Sequence, residues 1–483
     1  MPLRLYNTRT RRVEAFAPLR DGEVRIYVCG MTPSAQAHLG HARSFLFFDV
    51  LRRYLTHLGY RVTYVQNVTD IDDRSIAESR ATGEPYHDII DRHYGEFKQS
   101  MRVLGVLPFD REPYATHYVP QIQATIRELL EREHAYVSQD GIYYRVAAFA
   151  DYGKLSNRNV AELEAGARIE IDEHKEDPLD FALWKFAKEG EPQWPFEPYG
   201  AGRPGWHIEC SAMARALLDP PGEGFDVHGG GADLIFPHHE NEIAQSEPLM
   251  HRPPMANFWV HGGLLLFENK KMSKSLGNYE PLSAMLERYD PQAIRLLLLQ
   301  TSYGKVKNFT EDAMGGAAAA LRQLKKAYRE LREAGDAVPT DLAQTGYVQR
   351  VERELDDDMN TAAALAAMLE FAGSAPATAA RLAPGEALHE YAYLLTLLGL
   401  APSDEWLASP SLASDVVERL SATLHESFDG ATPAQAVERV IAMRAEARTR
   451  KDWAASDRLR AALLECGIEL KDSKEGTTWS VAG

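Results

Sequence analysis

Three cysteines in 483 residues, Cys29, Cys210 and Cys466, are too few and too scattered for a disulfide framework. That scarcity points to a reducing compartment, the cytoplasm. No run of about 18 apolar residues occurs, and the charged start Met1-Pro2-Leu3-Arg4 has no apolar stretch behind it. Neither a membrane span nor a signal peptide is expected. Excess positive charge is missing too: 53 Lys and Arg against 70 Asp and Glu give −17, a balance that opposes non-specific attraction to nucleic acid and membranes. A nucleic-acid partner must therefore meet a locally basic face. What is present is ordinary for a globular chain, 45% hydrophobic and 25% charged residues, and the length exceeds what one hydrophobic core accommodates. At least three domains are expected.

The first segment alternates strands and helices. Glu23 to Cys29 reads as a buried strand, Ala42 to Leu58 has apolar residues at helical spacing, and Arg61 to Val68 reads as a second strand. Strand, helix, strand over so short a span implies a parallel crossover and a doubly wound α/β sheet, which binds ligands at the carboxyl ends of its strands. Short polar-flanked strands such as Gly141 to Val146, with Pro- and Trp-rich turns, mark an insertion from about Tyr118 to Gly202. The sheet resumes near Gly205, with strands at Phe225–His228 and Phe258–His261. Beyond about Phe309 the chain reads as helical to Leu400, broken at Pro339 and ended by Ala401-Pro402. The last eighty residues read as a separate unit, with one basic helix from about Pro433 to Leu464 and an extended tail. The expected division is residues 1–118 and 203–254 for a Rossmann-like catalytic domain, 119–202 for the insertion and 255–312 for a stem-contact region. A helical bundle over 313–402 and a C-terminal unit over 403–483 complete it.

His38-Leu39-Gly40-His41 opens the first helix. Free N–H groups at a helix start, a glycine that admits a ligand and two imidazoles suit the phosphates of a nucleoside triphosphate; two exposed histidines beside a turn glycine are the bland alternative. Lys270 to Asn278 forms a lysine- and serine-rich loop, in which Lys271 and Lys274 can neutralise charge building on a leaving pyrophosphate. The pair His38-Leu39-Gly40-His41 and Lys271-Met272-Ser273-Lys274-Ser275 resembles the signature of class I aminoacyl-tRNA synthetases. His238 and Glu242 stand four apart, on one helical face, where imidazole and carboxylate can share a metal. Cys29 and Cys210, in segments expected at the sheet edge, would complete a zinc site, although a buried free cysteine is more often a small hydrophobe.

The chain is similar to cysteinyl-tRNA synthetases over essentially its whole length. The resemblance lies in Tyr27-Val28-Cys29-Gly30, Thr69 to Asp73, Gly205 to Met213, His228 to Leu234 and Phe236 to Glu242. It implies one zinc per chain on Cys29, Cys210, His238 and Glu242, which binds the substrate's thiolate. The metal–sulfur bond, ~2.3 Å, is unavailable to serine's hydroxyl, so no editing domain is needed. It also implies an amino-acid and adenylate pocket of Thr69, Trp206, His207, His228, Asp233 and His239. Alternatives remain for several residues: Trp206 as core, Asp70 and Asp73 as helix caps, Gly229-Gly230-Gly231 as a turn. After Cys29-Gly30 the family commonly has Thr-Val-Tyr-Asp where this chain has Thr32-Pro33-Ser34-Ala35, leaving the missing tyrosine and aspartate without counterparts.

Between Arg444 and Arg460 lie six basic residues with Trp453 among them, a basic aromatic surface in an acidic chain. The resemblance implies that Arg448, Trp453, Asp457 and Asp472 read anticodon bases; a solvated amphipathic helix is the alternative. The expected activity is ATP-dependent activation of L-cysteine to the adenylate, then transfer to the 3′-terminal adenosine of cysteine tRNA. His38, Gly40, His41, Lys271 and Lys274 would handle ATP and its Mg2+, and the chain is expected to act as a monomer. A cysteine ligase of mycothiol synthesis forms the same adenylate but needs no anticodon unit. A non-catalytic tRNA-binding or metal-sensing relative would not need both ATP elements.

Overall fold

A computed structural model describes residues 2–158, 174–219, 222–271, 280–381, 384–407, 415–473 and 476–481. It divides into two units, one made of Met1–Leu321, Val338–Phe371 and His389–Ala401, the other of Arg322–Ala337, Ala372–Leu388 and Pro402–Gly483. The expected bundle over 313–402 is divided between the units, because the helices Glu311–Ala334 and Thr361–Arg381 each contribute to both, while the last segment of the second unit begins at Pro402. No helix among the described residues is long and apolar enough to cross a membrane.

In the first unit β1 (Glu23–Val28), α1 (Leu39–His57) and β2 (Arg61–Gln66) form the expected crossover. The insertion follows, with an antiparallel sheet of Ala135–Val137, Gly141–Tyr144, Phe181–Phe186 and Gly202–Pro204 in that spatial order. Then come α2 (Trp206–Leu218), β3 (Phe225–Gly231), α3 (Glu240–Ser246) and β4 (Ala256–Gly262). The four labelled strands make one parallel sheet in the order β4-β3-β1-β2. β1 is buried along nearly its whole length, as a strand covered on both faces must be. Its register puts Tyr27 opposite His228 and Val28 opposite Gly229. Gly229 to Gly231 are therefore strand residues, not a turn. A Cβ at Gly229 would stand 2.2 Å from the ring of Phe48 on α1, so the missing side chain is what lets that helix lie against the sheet.

Cys210 sits inside α2, not at the sheet edge, because the strand before it ends at Pro204 and the Gly205 backbone opens the helix. Asp70 and Asp73 are not caps. Asp72 caps the helix Asp73–Thr82 by accepting from Ser75 N at 2.8 Å; Asp70 accepts from Thr116 N at 3.0 Å, across the sheet edge.

In the second unit the basic segment is two helices, α4 (Pro433–Thr449) and α5 (Trp453–Glu465), followed by the hairpin β5 (Ile468–Ser473) and β6 (Gly476–Val481). The break has no proline or glycine to announce it. Lys451 takes the left-handed conformation at φ 60°, Asp452 N returns to Ala447 O at 2.8 Å, and the Asp452 carboxylate caps α5 through Ala455 N at 3.0 Å. Val437, Val440, Leu459 and Leu463 then close a separate apolar core with Val416, Leu420 and Phe428.

Candidate metal centre and active site

Cys29 follows β1 and is pinned to β3 by Cys29 N donating to Gly229 O at 2.9 Å. The wide turn Ile235–His239 runs directly into α3, so His238 and Glu242 keep the spacing of one helical turn. α2 brings Cys210 to the same point. Cys29 Sγ lies 3.7 Å from Cys210 Sγ and 3.5 Å from Glu242 Oε1, and His238 Nε2 lies 3.2 Å from that oxygen. All four groups are buried, with ligand atoms within 4.8 Å of one another. Tetrahedral bonds of ~2.0–2.3 Å would set such atoms about 3.5 Å apart, so the donor set fits a small divalent transition-metal ion without rearrangement. A second set, Cys29, His228, His239 and Glu242, overlaps it; the first holds both thiols.

Burial first, then the neighbouring thiol and Glu242, push the Cys29 thiol well above its ordinary range; burial likewise raises Cys210. Burial, then His207 and His228, hold His238 well below the usual imidazole range. The bare cluster thus favours neutral thiols and a neutral imidazole. A cation inverts the preference for the thiols while using the imidazole as it stands.

Neighbouring rings fix the ligands. His238 Nδ1 is 2.9 Å from His207 Nδ1, and Trp206, 43% exposed and so not core, packs its ring 4.3 Å from that of His238. His228 Nε2 lies 2.9 Å from Glu242 Oε2 with its ring stacked on Trp259. His239 Nδ1 contacts His261 Nε2 at 2.7 Å, and His261 reaches Thr8. His228 Nδ1, His239 Nε2 and Glu209 Oε2 are buried without a hydrogen-bond partner among the described residues, and the Tyr27 hydroxyl meets only the Cys210 thiol. So many orphaned polar atoms around one centre mark a place built for a ligand. Glu209, Tyr27 and His261 were not singled out from the sequence. A lone acidic residue among the apolar and small residues of α2 was the available signal for Glu209.

At the ATP element, His38 and His41 are half-buried, not exposed. His38 caps α1, its Nδ1 accepting from Gly40 N at 3.0 Å, while His38 N donates to His41 Nδ1 at 3.2 Å and the rings stack at 3.9 Å. Both Nδ1 atoms accept, so each neutral ring carries its proton on Nε2. Burial takes His41 down to about 3 and lowers His38, the latter opposed by Asp233. Asp233 thereby joins this end of the site. Thr69 is buried beyond β2, its Oγ1 accepting from Asn67 Nδ2 at 3.3 Å. Asn67 Oδ1 accepts from Gly30 N at 2.9 Å, and a Cβ at Gly30 would stand 1.8 Å from Asn67 O. Lys271 closes the short strand Lys270–Lys271 by its backbone; Lys274 lies outside the described residues.

In the second unit Arg448 Nη1 donates to Asp472 Oδ2 at 2.9 Å, and Arg444, which the sequence reading left without a role, grips both Asp472 oxygens at 2.9 Å. The hydrogen bonds from Arg444 and Thr477 hold the Asp472 carboxyl well below its usual range. Trp453, 59% exposed, and Asp457 stand one turn apart on the outer side of α5.

The chain matches a family model described as tRNA synthetases class I (C) catalytic domain over residues 15–319, a DALR domain over 350–400 and a Cysteinyl-tRNA ligase anticodon binding domain over 433–479. It is 44% identical to the cysteine–tRNA ligase of Alkalilimnicola ehrlichii over 99% of each chain. It is 43% identical to that of Pseudomonas aeruginosa over 99% of this chain and 100% of the relative. Among solved structures, Mycobacterium tuberculosis methionyl-tRNA synthetase in complex with methionyl-adenylate shares the fold, with a TM-score of 0.55 at 15% identity, covering 78% of this chain and 89% of that one. A leucyl enzyme from Agrobacterium radiobacter, solved with tRNA, gives 0.55 at 11% identity over 81% and 88%. With its catalytic segment matched over residues 15–319 and relatives aligned end to end, the chain belongs to the cysteine–tRNA ligase family of class I synthetases.

Proposed function

We propose that Cys29, Cys210, His238 and Glu242 hold one zinc ion and that this centre selects cysteine by its thiol during ATP-dependent cysteine–tRNA ligation. The observation that carries the reading is the convergence of two thiols, an imidazole and a carboxylate, all buried, within 4.8 Å. Bound there, zinc supplies a coordination position that a thiolate fills and a serine hydroxyl or alanine methyl does not.

The chain's own residues do the rest. His207 holds His238 in one orientation through its Nδ1, as partners of metal-binding imidazoles do, and leaves Nε2 for the ion. Trp206, His228 and His239 wall the amino-acid pocket. At α1 the Nε2–H groups of His38 and His41 point donors at the phosphates of ATP, which enters with magnesium, while Asp233 orients His38. Lys271 and Lys274 stabilise charge on the departing pyrophosphate as the cysteine carboxylate attacks the α-phosphorus. Positioning and electrostatics suffice, so no side-chain nucleophile is required. The terminal adenosine of the tRNA then takes the cysteinyl group, with Arg448, Trp453 and Asp457 on the anticodon side; Asp472 contributes by holding Arg444 and Arg448.

Metal analysis of purified protein should find close to one zinc per chain. Cys210→Ser should raise KM for cysteine far more than KM for ATP in cysteine-dependent ATP–pyrophosphate exchange. Fully active enzyme free of zinc would remove the reading.

A further inference from the structure

Glu209 is the only carboxylate of α2, 1% exposed, and although Thr69 bonds to its carboxyl, its Oε2 has no hydrogen-bond partner among the described residues. Such a group is unfavourable to bury unless a donor or cation meets it. It lines a pocket with Thr32, Ile71, Arg203 and Trp206. The insertion brings two cations to this pocket, and both are engaged elsewhere: Lys185 Nζ donates to Asp73 Oδ2 at 2.6 Å, and Arg203 to Asp73 and to Glu191 Oε2 at 3.1 Å. Arg74, also at the pocket, is exposed. Asp70 and Asp72 face Glu209 with like charge, while a hydrogen bond from Thr69 and the charge of Arg203 oppose them. One Glu209 oxygen is thus left for a further donor.

We propose that Glu209 receives the α-ammonium of the substrate cysteine and so determines that the thiol compound activated is an amino acid. The proposal rests on reading the adjacent centre as the cysteine site. Glu209 and Cys210 are consecutive on α2, so their side chains leave the helix about 100° apart. In cysteine the ammonium lies three bonds from the sulfur. A molecule whose sulfur meets the Cys210 side of the helix can set its ammonium on the Glu209 side, beside Trp206, whose ring packs on that of His238. Thr69, whose hydroxyl faces the Glu209 carboxyl, is tied through Asn67 to Gly30, next to Cys29. The loop that holds Cys29 and the helix that holds Cys210 thus also fix where the ammonium goes. A thiol acid without the ammonium would leave Glu209 Oε2 buried without a donor, which is the penalty that discriminates.

The test pairs Glu209→Gln, nearly isosteric, with 3-mercaptopropionate, which keeps cysteine's thiol and carboxylate but lacks the ammonium. In ATP–pyrophosphate exchange the variant should raise KM for cysteine roughly 10- to 100-fold, the size of a charge-assisted hydrogen bond, with KM for ATP unchanged. The inhibition constant of 3-mercaptopropionate should change little, so the preference for cysteine over the thiol acid collapses. Glu209→Asp, retaining the charge, should keep more of that preference than Gln; it carries the test alone if the Gln variant melts early or loses metal. Equal losses for both ligands would make Glu209 a structural residue, and an unaltered preference would remove it from recognition. Wild-type enzyme without cysteine-dependent exchange would instead overturn the reading of the site itself.

Discussion

His41 stands at a helix start, half-buried, and desolvation lowers its proton affinity to about 3. An unfolded chain takes up that proton near pH 6.5. Between these values the unfolded state binds one more proton than the folded one, so this group's contribution to stability falls as pH drops from about 6.5 towards 3. His41→Asn should flatten the fall in melting temperature between pH 6.5 and 4.5; an unchanged slope would assign the loss to other groups. The candidate metal cluster was legible because its residue types are rare in the chain and chemically paired: two of three cysteines, and a histidine and glutamate four apart. Glu209 was not, because what makes it unusual is one buried oxygen without a partner among the described residues. That depends on Asp70, Asp72 and Arg203, which only the folded sheet edge and insertion bring near.

At the level of elements, the alternation of strand and helix in the first seventy residues was readable because β1 packs Val24, Ile26, Tyr27 and Val28 into six residues and α1 carries apolar residues on every turn. The division of the basic segment into α4 and α5 was not. Lys451 adopts the left-handed conformation without glycine, and helix propensity runs through the break. Asp452 is the residue that ends one helix and starts the next, and Asp452→Ala should cost about 1 kcal/mol of stability in this unit, as lost caps do. That cost should appear as an earlier melting transition. Trp453, one residue later, is exposed at the start of α5 and offers a base a stacking surface. Trp453→Ala should weaken charging of tRNA by roughly 5- to 150-fold, from ~1–3 kcal/mol per stacked base, with ATP–pyrophosphate exchange unaltered. A variant equally sensitive to every anticodon substitution would show that recognition lies elsewhere.

For the whole molecule, the sequence announces a helical region after Phe309 but not how its helices are shared. Long-range pairs settle that: Tyr54 on α1 donates to Asp356 at 2.7 Å, and Arg295 joins Asp49 on α1 to Leu398 O. Such pairs leave no mark in local periodicity. Their consequence is that a cut near residue 403 would strip Trp406 from Tyr328, whose rings meet edge to face. A cut before Asp415 removes the core of Val416, Leu420, Val437 and Leu463 entire. Deleting 415–483 should leave cysteine-dependent pyrophosphate exchange largely intact and abolish efficient charging; loss of both would mean that the segment also supports the catalytic unit.

All three cysteines are buried, Cys29 and Cys210 at the candidate metal centre and Cys466 behind the C-terminal helices. To a thiol reagent in solution the folded protein is therefore nearly blank. A single cysteine introduced at an exposed position, such as Leu464→Cys at 60% exposure, would take a fluorophore or spin label alone. Movement of the C-terminal unit during a catalytic cycle could then be followed without first deleting the thiols of the candidate metal centre.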